Sequence, residues 1–234
     1  MPKSENRPDQ PIVSTMRVEG PFNFSAKCNA GAQVATSDIL LFLNDDIIPI
    51  SDDWIECLLE PFSSPRVAVT GPLLVYPDGR VQHAGMYFSQ TGDIRHALRF
   101  ARLPEQGYGF LGTSPRLVSI VTGAVLAIRR QVFVDLNGFD HQLAKYIQDV
   151  DLCLRILHLG LDVVFTPRSV LIHMESVAIK GTLVDPATTV DRGRDYQRFM
   201  TRWADRLKAG DAFYNRHFDP GDESMQTLVI SDRA

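Results

Sequence analysis

The chain is 234 residues long, with 44% hydrophobic and 22% charged residues and a formal net charge of −4. That length supports one substantial domain, and the composition excludes a wholly disordered chain. With 24 basic against 28 acidic side chains, no basic surplus of the kind needed for bulk nucleic-acid binding is present.

Residues 1–20 are polar and proline-punctuated, a weakly ordered lead-in with one short strand candidate at 12–18. No apolar stretch of the signal-peptide kind opens the chain. The longest apolar run, 39–43, is far short of the roughly 20 residues that cross a bilayer. Three scattered cysteines, Cys28, Cys57 and Cys153, suit small buried residues in a reducing compartment rather than a disulfide framework or zinc site. The expected location is cytoplasmic, with peripheral contact at the inner membrane face left open.

A helical pattern begins at Ser25, with Ala26, Ala30, Ala32 and Ala35 giving a small-residue surface. Residues 38–43 form an apolar run ended by Asn44-Asp45-Asp46, which predicts a strand buried on both faces of a parallel sheet. Ser51-Asp52-Asp53-Trp54 predicts a capped helix start, with the helix running to about residue 62. Another buried strand is expected at 67–71. Residues 73–76, the turn Pro77-Asp78-Gly79 and the return at 81–85 read as a hairpin. Residues 89–117, rich in Gly, Pro and Arg, suit a long surface excursion. The apolar segment 118–129 is interrupted by Thr122-Gly123-Ala124, where the backbone can approach a ligand closely. Helices follow at 130–137, 149–159 and 191–207, and strands at 161–165 and 170–173. The alternation places the chain in the α/β class. The expected division is a lead-in at 1–20, a core at 21–180, and a loop with a C-terminal helix and tail at 181–234.

Three constellations could carry chemistry. Asn44-Asp45-Asp46 lies at a strand end, where ligands of open α/β sheets bind, and its carboxylates suit Mg²⁺ or Mn²⁺ on phosphate oxygens. The same residues equally suit a solvated turn before Pro49. Gln148-Asp149-Val150-Asp151 opens a helix, so Asp149 is either a general base or a residue favoured there by capping and the helix dipole. His173, at the end of a late strand, could complete a metal site or contact a diphosphate, or be a structural histidine. His83, His96, His141, His158 and His217 carry no interpretable spacing.

Several short motifs then follow in order. They are Phe22-Asn23-Phe24-Ser25, Asn29-Ala30-Gly31-Ala32, Leu41-Phe42-Leu43-Asn44-Asp45-Asp46, Tyr76-Pro77-Asp78-Gly79 and Gln82-His83-Ala84-Gly85. Val121-Thr122-Gly123-Ala124, Gly138-Phe139-Asp140, Asp149-Val150-Asp151-Leu152-Cys153-Leu154-Arg155 and His173-Met174-Glu175-Ser176 complete the series. Over about residues 15–180 the chain resembles inverting family 2 glycosyltransferases of the GT-A type, in particular bacterial rhamnosyltransferase-like enzymes that build surface polysaccharides.

The resemblance implies transfer of a sugar from a nucleoside-diphosphate sugar to a hydroxyl of a saccharide or lipid-linked saccharide acceptor, with inversion and with Mg²⁺ or Mn²⁺. It implies Asp149 as catalytic base, Asp46 and His173 at the metal, and Asn44, Asp45, Asn29 and Lys180 on the nucleotide sugar. Gly123 and Asp151 would stand on the acceptor side. The implied fold is α/β, a GT-A-like mostly parallel sheet flanked by helices, N-terminally truncated and with a C-terminal helical tail. Family members carry a strand, a helix and a second strand before the acidic motif. About 20 residues cannot hold them, since a βαβ unit takes about 30 or more. Two further expectations follow: a second copy or a partner chain that completes the sheet, and, as the alternative function, a non-catalytic remnant that binds a saccharide or a partner. No GxxxxGK[ST] stands in the sequence, which argues against a nucleotidyl or phosphoryl transferase.

Overall fold

The computed structural model describes residues 13–88, 93–103, 109–174, 186–219 and 221–229. In chain order these form α1 (Phe24–Val34), β1 (Ile39–Leu43), β2 (Ile47–Pro49), α2 (Trp54–Leu59) and a 3₁₀ turn (Glu60–Ser63). Next come β3 (Val67–Val75), β4 (Val81–His83), β5 (Met86–Phe88), β6 (Ile94–His96), β7 (Arg116–Leu117) and β8 (Val125–Arg129). Then α3 (Arg130–Asp135), α4 (Gln148–His158), β9 (Asp162–His173) and α5 (Pro186–Lys208) complete the described elements. None of the described helices is long and apolar enough to cross a membrane.

The main sheet runs β1-β8-β3-β9-β2, with β4 paired to β3 and β7 to β9. Its centre is β3, buried at every position, lying parallel to β9. The expectation of a mostly parallel sheet is corrected here. The β3–β9 pairing is parallel, whereas β1–β8, β8–β3, β4–β3, β7–β9 and β2–β9 are all antiparallel. The sheet is mixed because β8 returns between β1 and β3 against the direction of both.

The apolar run at β1 is likewise not buried on both faces. Leu40 is buried and Phe42 packs on Phe133 and Phe139, while Leu41 is 38% and Leu43 48% exposed. Asn44 N–H donates to Ala124 O and Arg130 N–H to Asp38 O. Even-numbered residues therefore turn their backbone groups toward β8, and Ile39, Leu41 and Leu43 turn theirs to the open side.

Most other elements follow their local signals. Asn23 caps α1, its Oδ1 accepting from Ala26 N–H at 2.9 Å. The Pro77-Asp78-Gly79 turn closes the β3–β4 hairpin, with Gly79 at φ +80°. The strands expected at 161–165 and 170–173 are one strand, β9, with a register shift opposite Pro72 and Leu73. Residues 13–18 form no strand. The described part of 89–117 is not a surface excursion either: Ala97, Leu98 and Ala101 are buried in the main core. Phe199 and Leu207 of α5, and Phe218 and Met225 beyond it, join the same core.

At Gly71 the middle of β3 comes against Val121, so closely that an added Cβ would lie 2.5 Å from Val121 Cβ. This contact lets the segment before β8 lie flat on the sheet.

Candidate active site

Two clusters meet at the segment Thr122-Gly123-Ala124. The first begins where β1 ends. The bond from Asn44 N–H to Ala124 O, 2.9 Å, fastens the Asn44-Asp45-Asp46 turn to the start of β8. The chain then enters β2, where Ile47 pairs with His173 of β9, and Met174 N–H donates to Asp46 O at 3.0 Å. Asp46 Oδ1 is thereby brought to 3.2 Å from His173 Nε2. Asp45 is exposed beside it and Asn44 half-buried.

His173 Nδ1 lies 2.7 Å from Gln82 Oε1. A neutral ring that donates to this oxygen carries its lone pair on Nε2, facing Asp46. Asp46 Oδ1 is buried and has no hydrogen-bond partner among the described residues. A shielded carboxylate oxygen opposite an imidazole lone pair is unfavourable until a proton or cation sits between them. The pair therefore fits one divalent ion of the Mg²⁺ or Mn²⁺ kind. Among the described residues no group of three His, Cys, Asp or Glu side chains assembles, so further ligands would be water and substrate oxygens.

The second cluster opens α4. Ile147, the residue before the helix, is held at φ 64° and ψ 8°, left-handed backbone that a β-branched residue rarely adopts. This tight entry sets Asp149 in the first turn. Its Oδ2 accepts from Gly123 N–H at 2.7 Å and its Oδ1 from Val150 N–H at 2.9 Å. A Cβ on residue 123 would lie 3.3 Å from Asp149 Cβ, so glycine permits this close approach. Burial pushes the Asp149 pKa up, against the opposing pull of those backbone N–H groups.

Asp149 opens on a cavity of about 320 Å³, lined also by Gln148, Thr122, His96, Arg99 and Tyr146. A second groove of about 390 Å³ runs between α1 and β1 and reaches Asn44 and Gly123. Gly123 N–H donates to Asp149 and Ala124 O accepts from Asn44 N–H, so two successive residues join the acidic turn to the helix carboxylate.

Two residues expected in the site are elsewhere. Asp151 does not face the acceptor side. It is fully buried, with Arg155 Nε at 2.8 Å, Arg202 Nη1 at 2.7 Å and Trp203 Nε1 at 2.9 Å, and it ties α4 to α5. Asn29 is occupied by the turn before α4: its Nδ2 donates to Phe139 O at 2.8 Å and its Oδ1 accepts from Phe139 N–H at 2.9 Å. Its amide is therefore committed to the fold. Lys180 lies outside the described residues.

The sequence reading missed His96. It sits on β6, and its Nδ1 lies 3.1 Å from Nδ1 of the fully buried His83. Burial, with Arg99 and His173 nearby, lowers the His96 pKa to about 4; burial lowers that of His83 well below its ordinary value. The available signal was Gln82-His83-Ala84-Gly85, whose histidine points to a partner that only the fold reveals.

Comparison with known proteins agrees with this architecture. Residues 5–205 match the glycosyltransferase-like family 2. The O-antigen biosynthesis protein RfbC of Myxococcus xanthus is 35% identical over 212 residues, which cover 88% of this chain and 16% of RfbC. The rhamnosyltransferase WbbL of Escherichia coli K12 is 28% identical over 145 residues, 59% of this chain and 53% of WbbL. An N-acetylglucosaminyl-diphospho-decaprenol L-rhamnosyltransferase of Mycobacterium tuberculosis is 30% identical over 162 residues, 60% of this chain and 52% of that enzyme. The chain thus spans from about a sixth to about half of these relatives' length. Among solved structures, GalNAc-T7 with UDP, GalNAc and Mn²⁺ superposes with a TM-score of 0.62 at 20% identity, over 82% of this chain and 38% of that one. At that identity the likeness shows the fold, a GT-A glycosyltransferase domain.

Proposed function

Because the chain belongs to the glycosyltransferase-like family 2, we propose that it transfers a glycosyl group from a nucleoside-diphosphate sugar to a hydroxyl of a saccharide or lipid-linked saccharide, with inversion, in surface polysaccharide synthesis. The observation that carries this reading is the pair of successive residues Gly123 and Ala124, whose backbone N–H and C=O hold Asp149 and the Asn44-Asp45-Asp46 turn respectively.

In this reading Asp149 Oδ1 or Oδ2 takes the proton of the acceptor hydroxyl. The acceptor oxygen forms its bond to the anomeric carbon as the bond to the diphosphate oxygen breaks on the opposite face. A base partly shielded from water suits the task, since its raised pKa improves its match to an alcohol. Gly123 and Val150 N–H groups orient the carboxylate so that it need not reorganise during transfer. Asp46 and His173 would hold Mg²⁺ or Mn²⁺, which when bound neutralises charge on the departing diphosphate. Asp45 and Asn44, at the mouth of the same turn, bind the donor's ribose and sugar. The relatives bear on the substrate class: RfbC is named for O-antigen biosynthesis and WbbL as a rhamnosyltransferase.

The test is calorimetric titration of the purified chain with UDP, dTDP and GDP, with and without Mn²⁺, beside the Asp46→Asn variant. Metal-dependent binding of one nucleotide, lost in the variant, is expected, followed by turnover of the matching nucleotide sugar. A folded chain that binds none of the three overturns the reading.

A further inference from the structure

The cavity in front of Asp149 is lined by polar residues that neither the base nor the cation pair uses. Gln148 Oε1 is buried and has no hydrogen-bond partner among the described residues. His96 lines the same cavity, and its protonation follows from its neighbours. Gly85 N–H lies 3.3 Å from His83 Nε2, so that nitrogen is the acceptor and His83 carries its proton on Nδ1. His83 Nδ1–H then donates to His96 Nδ1, 3.1 Å away, leaving His96 protonated on Nε2, across Cε1 from the occupied nitrogen. No described residue accepts from that Nε2–H. A backbone amide thus fixes a tautomer through two rings and ends in one donor. The low pKa values of both rings keep this arrangement neutral at pH 7.

A neutral donor and a neutral, unsatisfied acceptor beside a carboxylate match sugar hydroxyls, each of which both donates and accepts. We propose that His96 and Gln148 determine acceptor specificity by hydrogen-bonding hydroxyls of the acceptor saccharide, with His83 as a positioning residue that holds His96 in its Nε2–H tautomer. This rests on the transfer reaction proposed above.

Two measurements on the whole chain test it. The first is the long-range ¹H–¹⁵N spectrum of the histidine rings. His83 is expected as the Nδ1–H tautomer and His96 as Nε2–H, with His83→Phe shifting His96 toward a mixture. The second uses methyl glycosides of rhamnose, mannose, galactose and N-acetylglucosamine, with their monodeoxy counterparts, as probes of acceptor binding by saturation-transfer NMR and of turnover.

His96→Ala is expected to raise the acceptor KM about tenfold or more and leave kcat within about threefold, the signature of lost ground-state binding. It should also erase the preference for one hydroxylated glycoside over its deoxy form. His96→Gln, which restores an N–H donor, should recover part of the affinity and guards against a variant that merely fails to fold. An active wild-type chain whose acceptor KM and deoxy preference are unmoved in both variants overturns this inference alone, as does a His96 ring protonated on Nδ1. A wild-type chain that turns over no donor overturns the transfer reading instead. Glycoside binding that His96→Ala leaves intact would then overturn this inference as well.

Discussion

Asp149 and Asp151 stand two residues apart in the first turn of one helix, and their surroundings are opposite. Asp151 is fully buried and meets three side-chain donors, two of them arginines, drawn from α4 and α5. Asp149 meets two backbone N–H groups, and burial raises its pKa. Two positions along a helix turn the side chain by about 200°, enough to exchange a cavity for a helix interface. A carboxylate that folding must hold is surrounded by cations. One that could move a proton is held by neutral dipoles, which fix its direction while leaving it basic.

The sharpest way to break this contrast is Asp149→Asn. The amide oxygen can still accept from Gly123, so the fold should persist while transfer falls by about 10²–10⁴-fold, the usual contribution of a general base. Donor binding by calorimetry should be unchanged. In the wild-type chain kcat/KM should rise with pH through an Asp149 pKa above the usual carboxylate value, and the variant should lack that limb. Stability carries the opposite sign. The folded chain binds this proton more tightly than the unfolded one, whose value is about 3.9, so stability declines as pH rises between the two values. Urea unfolding across that window should show the decline reduced in Asp149→Asn.

Asp151→Ala should reverse the pattern. Removing one partner of a buried ion pair costs about 3–5 kcal/mol, and because Arg202 is partly exposed the lower end is expected, read from the urea midpoint. The activity of molecules that remain folded should stay within about tenfold of wild type. Asp46→Asn should leave metal-free nucleotide affinity unchanged and lower the Mn²⁺-dependent affinity at least tenfold by calorimetry. The smallest effect belongs to Gly123→Ala. Its Cβ at 3.3 Å from Asp149 demands a shift of a few tenths of an ångström, which should lower kcat several-fold with little change in melting temperature.

Much of this molecule was legible because its signals are local. Asn23 caps α1, Pro77-Asp78-Gly79 turns the β3–β4 hairpin, and the apolar spacing of Leu152, Ile156 and their neighbours marks α4. Motif order singled out the acidic turn and Asp149 as candidates. What escaped depends on which neighbour arrives from far along the chain. An apolar run such as β1 looks the same whether one face or both are covered. Two aspartates at one helix start differ only once Arg202 and Trp203 of α5, some 50 residues later, have packed against one of them. Asn29 is captured by Phe139, and His96 acquires meaning only from His83, each on a separate element.

Gly71 shows how far such dependence reaches. It touches no candidate ligand and lies in the middle of the central strand, yet Val121 rests directly on it. Any side chain there must push Val121 outward, and Thr122, Gly123 and Ala124 follow it in sequence. Substitution at position 71 would thus be tolerated or rejected according to a chemistry performed elsewhere. Evolutionary constraint on this strand should be strongest at a residue with no side chain.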